Sequence, residues 1–375
     1  MGWSLRLARV AGIELRVHVT FFVLLAWIAA GHYAEGGPDT AVLGVAFTLL
    51  VFGCVVLHEF GHALAARRYG IRTPDITLLP IGGVARLTRM PDDPRQELVV
   101  ALAGPAVNVV IAAALLLSGY RPDATALFEL DSDRASLGGK LLGTNVFLVV
   151  FNLLPAFPMD GGRVLRALLA LRMSYLRATE LAAGIGQGCA FVFGFVGLLG
   201  NPILLLIALF VYLGATQEAA AAQMRNITAR LPVSAAMVRE FRLLAPDASV
   251  YDAVELLLST SQHEFPVADE FGRLRGIVTR DALISALRRG HTGAVADLMH
   301  SDVPAVPANA ALDQAFELMT ERRCPAVAVI NDRGRVVGIV TPENIGEMLM
   351  VHDSLGDRRH ARGNWQLPPE LRRPV

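Results

Sequence analysis

The sequence predicts a polytopic α-helical membrane domain of six transmembrane helices with a short β element, followed by a cytoplasmic α/β domain. Three observations carry this. Of 375 residues, 53% are hydrophobic and 18% charged, and the apolar residues crowd into the first 215 positions in runs suited to crossing a bilayer. Beyond position 215 hydropathy falls. From there the chain repeats itself with an offset of 62, each unit reading helix, strand, strand, helix.

The apolar runs fall at about 17–30, 41–64, 98–117, 137–154, 181–199 and 202–215, the first being short for a span. Arg6, Arg9 and Arg16 precede the first run and no small-residue cleavage site follows it, so it reads as a retained span rather than a signal peptide. Six spans place both termini on one side. Arginine and lysine in the connections choose the side: 31–40 and 200–201 hold none and 119–140 holds three, whereas 67–95 holds six and 155–180 holds four. The positive-inside rule then puts both termini in the cytoplasm, in a multi-pass protein of the plasma membrane.

Lys+Arg and Asp+Glu both total 34, so no basic excess points to nucleic acid. Cys54, Cys189 and Cys324 are widely spaced, which excludes a disulfide framework or zinc ribbon.

The second run ends in HEFGH, residues 58–62. At 100° per residue His58 and His62 lie one turn apart on one helical face, with Glu59 at its border. This is the H-E-x-x-H arrangement, in which two imidazoles hold zinc and the glutamate serves as general base. With Arg67 and Arg68 marking the cytoplasmic boundary, the histidines lie roughly 8 to 14 Å inside it. A carboxylate at such depth costs on the order of 2.5–3.5 kcal/mol, which a bound cation offsets.

A hydrolytic zinc needs a third protein ligand and an open position. Asp160 is best placed: it follows the fourth run in NLLPAFPMDGGR, where Pro155 and Pro158 end the helix and Gly161-Gly162 permit a turn back. Cys54, one turn before His58, and His18 are alternatives, although a buried cysteine is usually a packing residue. Asn108, Asn145 and Asn152 lie inside spans, either as interhelical hydrogen-bonding groups or as amides aimed at a developing oxyanion.

HEFGH in the second span, GPAVN in the third and NLLPAFPMDGG after the fourth resemble the three motifs of the site-2 proteases, intramembrane zinc metalloproteases. The resemblance covers about residues 1–215. It implies one Zn2+ per chain on His58, His62 and Asp160, Glu59 as catalytic base, Asn152 helping to hold the tetrahedral intermediate, and Asn108 as oxyanion or structural support. Met159 stands where the family motif often has Leu. Residues 75–87, broken by Pro80 and Gly82-Gly83, read as a β-hairpin. The family is similar in having a membrane-associated β element here, and a free strand edge suits an unwound substrate segment; a purely structural loop is the other reading.

After a helical linker at 216–230, repeats at 231–291 and 292–351 bring GIVTRDAL (276–283) and GIVTPENI (338–345) into register. They resemble tandem CBS domains. The resemblance implies an adenine nucleotide such as ATP, with Thr279, Asp281, Thr341 and Glu343 at the ribose- and phosphate-binding positions, and a possible homodimer through these domains. An empty dimerisation module is the alternative. Residues 352–375, rich in arginine and proline, are expected to be mostly disordered. The expected activity is cleavage of a transmembrane protein substrate within the lipid membrane. A CBS-regulated transporter or channel, or an inactive relative that binds membrane partners, are the rival classes.

Overall fold

A computed structural model describes residues 3–80, 82–88, 91, 93–120, 137–322 and 324–359, with side chains to 351. The chain divides into two compact units, Met1–Gln223 and Met224–Val375.

The first unit opens with two strands that the membrane-span reading missed, β1 (Ser4–Val10) and β2 (Ile13–His18). Their signal was present: Leu5 and Leu7, then Ile13, Leu15 and Val17, alternate with more polar neighbours at the strand period. Ala11-Gly12, at φ 52° and 85°, makes the tight turn between them. The first run is therefore strand up to His18, and helix α1 spans Val19–Arg68. Residues 31–40, expected as a loop, lie within α1; the interruption is at Gly37 (φ 80°, ψ −163°), followed by Pro38. Gly37 adopts a conformation other residues avoid, and Pro38 has no N–H to continue the ladder.

The expected hairpin is present as β3 (Asp75–Leu79) and β4 (Gly82–Arg86). It joins the first pair in one sheet of order β1-β2-β3-β4, with β2 parallel to β3. Ile13 and Ile76 of this sheet bury against Ala63 of α1, one residue past the second histidine. There follow α2 (Pro94–Leu117), α3 (Leu137–Asn152), α4 (Asp160–Ala170), α5 (Tyr175–Leu198) and α6 (Pro202–Thr228). Among the described residues, α1, α2, α5 and α6 are long and apolar enough to cross a membrane, and α3 is a shorter apolar helix. Most of the connection 119–140 lies outside the described residues.

The second unit contains α7 (Val250–Ser259), β5 (Glu264–Ala268), β6 (Leu274–Thr279), α8 (Arg280–Arg288), β7 (Ala305–Pro307), α9 (Leu312–Arg322), β8 (Val327–Ile330), β9 (Val336–Val340) and α10 (Pro342–Arg359). Gly272 and Gly334, both at positive φ, turn the two hairpins β5-β6 and β8-β9. The repeats exchange their leading segments: Val233, Ala236 and Met237 bury in the core of the second repeat, while Val295 buries in that of the first. Helix α10 runs eight residues past Val351, into the stretch expected to lack regular structure; 360–375 lie outside the described residues.

Candidate metal centre

HEFGH lies in the unbroken second half of α1, where the 3.6-residue period brings His58 and His62 to one face. Their Nε2 atoms are 3.1 Å apart. Asp160 Oδ2 stands 3.2 Å from that of His58 and 3.1 Å from that of His62. All three residues are buried, and among the described residues they are the group whose ligand atoms converge.

Helix α2 fixes how the imidazoles are protonated. His58 Nδ1 donates to Asn108 Oδ1 at 2.7 Å, and His62 Nδ1 donates to the Val100 carbonyl at 2.7 Å. Asn108 must present its oxygen there, because its Nδ2 donates to Asn145 Oδ1 at 3.1 Å. With both protons on Nδ1, each neutral ring turns a lone pair on Nε2 toward the Asp160 carboxylate. In that neutral form three acceptors meet without a hydrogen between them, an arrangement that a shared cation makes favourable. A tetrahedral zinc at about 2.0–2.1 Å from nitrogen sets its ligand atoms about 3.3 Å apart, close to the separations seen, and histidines held through their other nitrogen are characteristic of zinc sites.

Close backbone approach completes the pocket. A Cβ on Gly104 would meet His62 Nε2 at 2.2 Å and His58 Nε2 at 2.7 Å. Asp160 opens α4, and Gly161 lets the preceding loop fold onto that helix, since a Cβ there would meet the Leu154 carbonyl at 2.2 Å. Glu59 is half-buried, and its Oε2 accepts from the Ala85 N–H of β4 at 3.2 Å.

The remaining candidates separate. Asn108 is buried, and its side-chain amide is committed to His58 and Asn145. Asn145 extends that relay and donates to Leu141 O and Cys54 Sγ. Cys54 stands outside the ligand cluster, and His18 caps the start of α1 through Thr20. Asn152 ends α3, half-buried, and makes no side-chain hydrogen bond to the cluster. No residue type announces the Val100 carbonyl as a partner of His62, because any residue supplies one.

In the second unit Thr279 and Thr341 cap helices, accepting from the N–H of Ala282 and Asn344 respectively. Thr341 and Glu343 line a cleft of about 740 Å3 with Arg242, Gln262, His263 and Glu264 among its walls. Thr279 and Asp281 are not on that lining, and the Asp281 side chain is exposed beside Arg280.

The model of peptidase family M50 matches residues 46–128 and 136–195, and that of the CBS domain matches 233–289 and 295–349. A zinc metalloprotease of Methanocaldococcus jannaschii is 36% identical over 279 residues, covering 74% of this chain and 78% of the relative. A solved site-2 protease of that organism is 39% identical and covers 58% of this chain and 95% of its own, with a TM-score of 0.43. A CBS domain pair solved in complex with 5′-methylthioadenosine and S-adenosyl-L-methionine is 25% identical over 32% of this chain and 98% of its own, TM-score 0.30. The chain belongs to peptidase family M50, and is a multi-pass zinc metalloprotease of the site-2 type that carries a tandem CBS domain pair.

Proposed function

We propose that this protease hydrolyses a peptide bond within a transmembrane segment of a protein substrate, using His58, His62 and Asp160 as zinc ligands and Glu59 as general base. The observation that carries the reading is the buried cluster of His58 and His62, on a helix long enough to cross the bilayer, with Asp160 of α4, and with the Glu59 carboxylate beside it. When bound there, zinc supplies a Lewis acid and lowers the pKa of water. Glu59 takes the proton of the attacking water and returns it to the leaving amine. The Ala85 N–H holds Glu59 in place. Asn152, with its amide uncommitted among the described residues at the end of α3, steadies the developing oxyanion.

A helical substrate must unwind before its carbonyl is accessible. β4 ends the sheet order, so one of its edges pairs with no other described strand, and it lies against Glu59. An extended segment adding to that edge would run beside the base. Counting α1 as two crossings about its break at Gly37, and the 16-residue α3 as one, gives six spans with both termini in the cytoplasm of a plasma-membrane protein. Arg166 is buried rather than a loop charge, so 155–180 keeps three arginines (four less one), equal to 119–140; the orientation rests on the six in 67–95.

The CBS pair binds an adenine nucleotide, at Thr341 and Glu343 in the cleft and at the equivalent Thr279 and Asp281 of the first repeat, and pairs two copies of the chain. The CBS match supports the nucleotide reading in both repeats, and the cleft supports it at Thr341 and Glu343. Co-reconstitution with a single-span substrate tests the catalytic reading: the full chain should cut inside the apolar segment, as mapped by mass spectrometry, and Glu59→Gln should not. Cleavage confined to the substrate's aqueous flanks would contradict it. AMP titration of the full chain, with Thr341→Ala as control, tests the cleft.

A further inference from the structure

Arg166 is the largest fully buried side chain among the described residues, at 1% exposure, and the chemistry above does not use it. Its Nε and Nη2 contact Glu97 Oε1 of α2 at 2.7 and 2.5 Å, and Nη1 donates to Glu218 Oε2 of α6 at 2.8 Å. Its guanidinium carbon lies 5.0 Å from the ring centres of both Phe157 and Tyr175. Arginine is suited to this arrangement, because its planar fork pairs with carboxylates while its faces stack on rings.

A buried ion network of this kind contributes little net stability relative to well-packed apolar residues, since desolvation offsets the attraction. Its consequence is geometric. Arg166 sits six residues after Asp160 on α4, about 9 Å along the helix. Glu97 sits on the same stripe of α2 as Val100, Gly104 and Asn108, at spacings of three, four and four residues. That stripe holds His62 through Val100, His58 through Asn108, and both rings against Gly104. Only the third ligand has no direct bond to α2 among the described residues, and the Glu97–Arg166 pair connects its helix to the same stripe. Glu218 adds α6, the helix that continues to Thr228 and into the CBS-bearing unit.

We infer that Arg166 is the positioning residue for Asp160: clamped by Glu97 to the helix that orients both histidines, and by Glu218 to α6, it sets the carboxylate against the imidazoles, so that displacement of α6 alters the metal site. This rests on the metal-centre reading above. The test measures metal rather than turnover: zinc affinity of the purified full chain by chelator competition, and the visible band of the cobalt-substituted protein. Arg166→Met and Glu97→Gln should each weaken zinc binding at least tenfold and change the cobalt band, with Arg166→Lys recovering part of both. Glu218→Gln should shift the band to a smaller degree.

If Arg166→Met does not yield folded protein, Glu97→Gln carries the test, because it keeps shape and an acceptor. Folded Arg166→Met and Glu97→Gln proteins with wild-type zinc affinity and an unchanged band would reduce Arg166 to a packing residue and overturn the inference. An unchanged band in Glu218→Gln would remove α6 from it. Wild-type protein that takes up neither metal would instead overturn the underlying metal-centre reading.

Discussion

Gly104→Ala is a one-methyl probe of the metal pocket. The added carbon would stand 2.2 Å from His62 Nε2 and 2.7 Å from His58 Nε2, the two atoms that must face the metal. Ordinary contact needs about 3.5 Å, so the rings must retreat by roughly 1 Å. Metal–ligand distances tolerate only about 0.2 Å, so retreat and coordination are incompatible for at least one ring. Overpacking costs about 1–3 kcal/mol in ordinary cores, and here its release acts on the ligands; at about 1.4 kcal/mol per decade, zinc affinity should fall on the order of 10- to 100-fold. Chelator competition on purified protein reads this directly. Gly184→Ala on α5, where a Cβ meets nothing within 4 Å, is the matched control and should bind zinc as the parent does. Undiminished zinc binding by Gly104→Ala would refute the convergence of both rings on one ion.

Asn108→Ala removes the acceptor of His58 Nδ1–H and should cost about 10- to 100-fold in zinc affinity, measured in the same titration, while leaving the helical circular dichroism intact. Glu59→Gln should retain one zinc per chain by metal analysis while abolishing substrate cleavage, because it removes the base and leaves the ligands. In the CBS unit, burial first, and then the neighbouring Glu343 carboxylate, push the Glu264 carboxyl above the ordinary glutamate range despite the opposing His263. A raised carboxyl favours the folded state at acid pH and loses that contribution as pH rises through its shifted value. Thermal unfolding should therefore show the advantage of Glu264→Gln over the parent growing as the pH rises from about 4; an advantage largest at pH 4 would reverse the sign.

What could be read from residues alone was the part written in side chains at a fixed period. His58 and His62 follow from helix geometry, and Asp160 from a loop whose prolines and glycines force the chain back. The hairpin of β3 and β4 was legible from its β-favouring residues and turn glycines, and the CBS repeats from their self-similarity. What escaped depends on partners distant in sequence. The Val100 carbonyl is invisible because every residue has one, and nothing local to Gly104 shows that two imidazoles from another helix will close on it. Arg166 counted as a cytoplasmic loop charge, because nothing local shows that Glu97, 69 residues earlier, will meet it. The strands β1 and β2 carried their alternation openly, but the span reading began at residue 17, took in the last two residues of β2 and gave the stretch before it no secondary structure.

Zinc K-edge X-ray absorption on the purified full chain addresses the metal centre most directly. One zinc per chain, with two imidazole nitrogens near 2.0–2.1 Å and a carboxylate oxygen near 2.0–2.2 Å, is the expected first shell, with the oxygen contribution reduced in Asp160→Ala. A thiolate sulfur near 2.3 Å, or the absence of stoichiometric zinc, would contradict a site built from His58, His62 and Asp160.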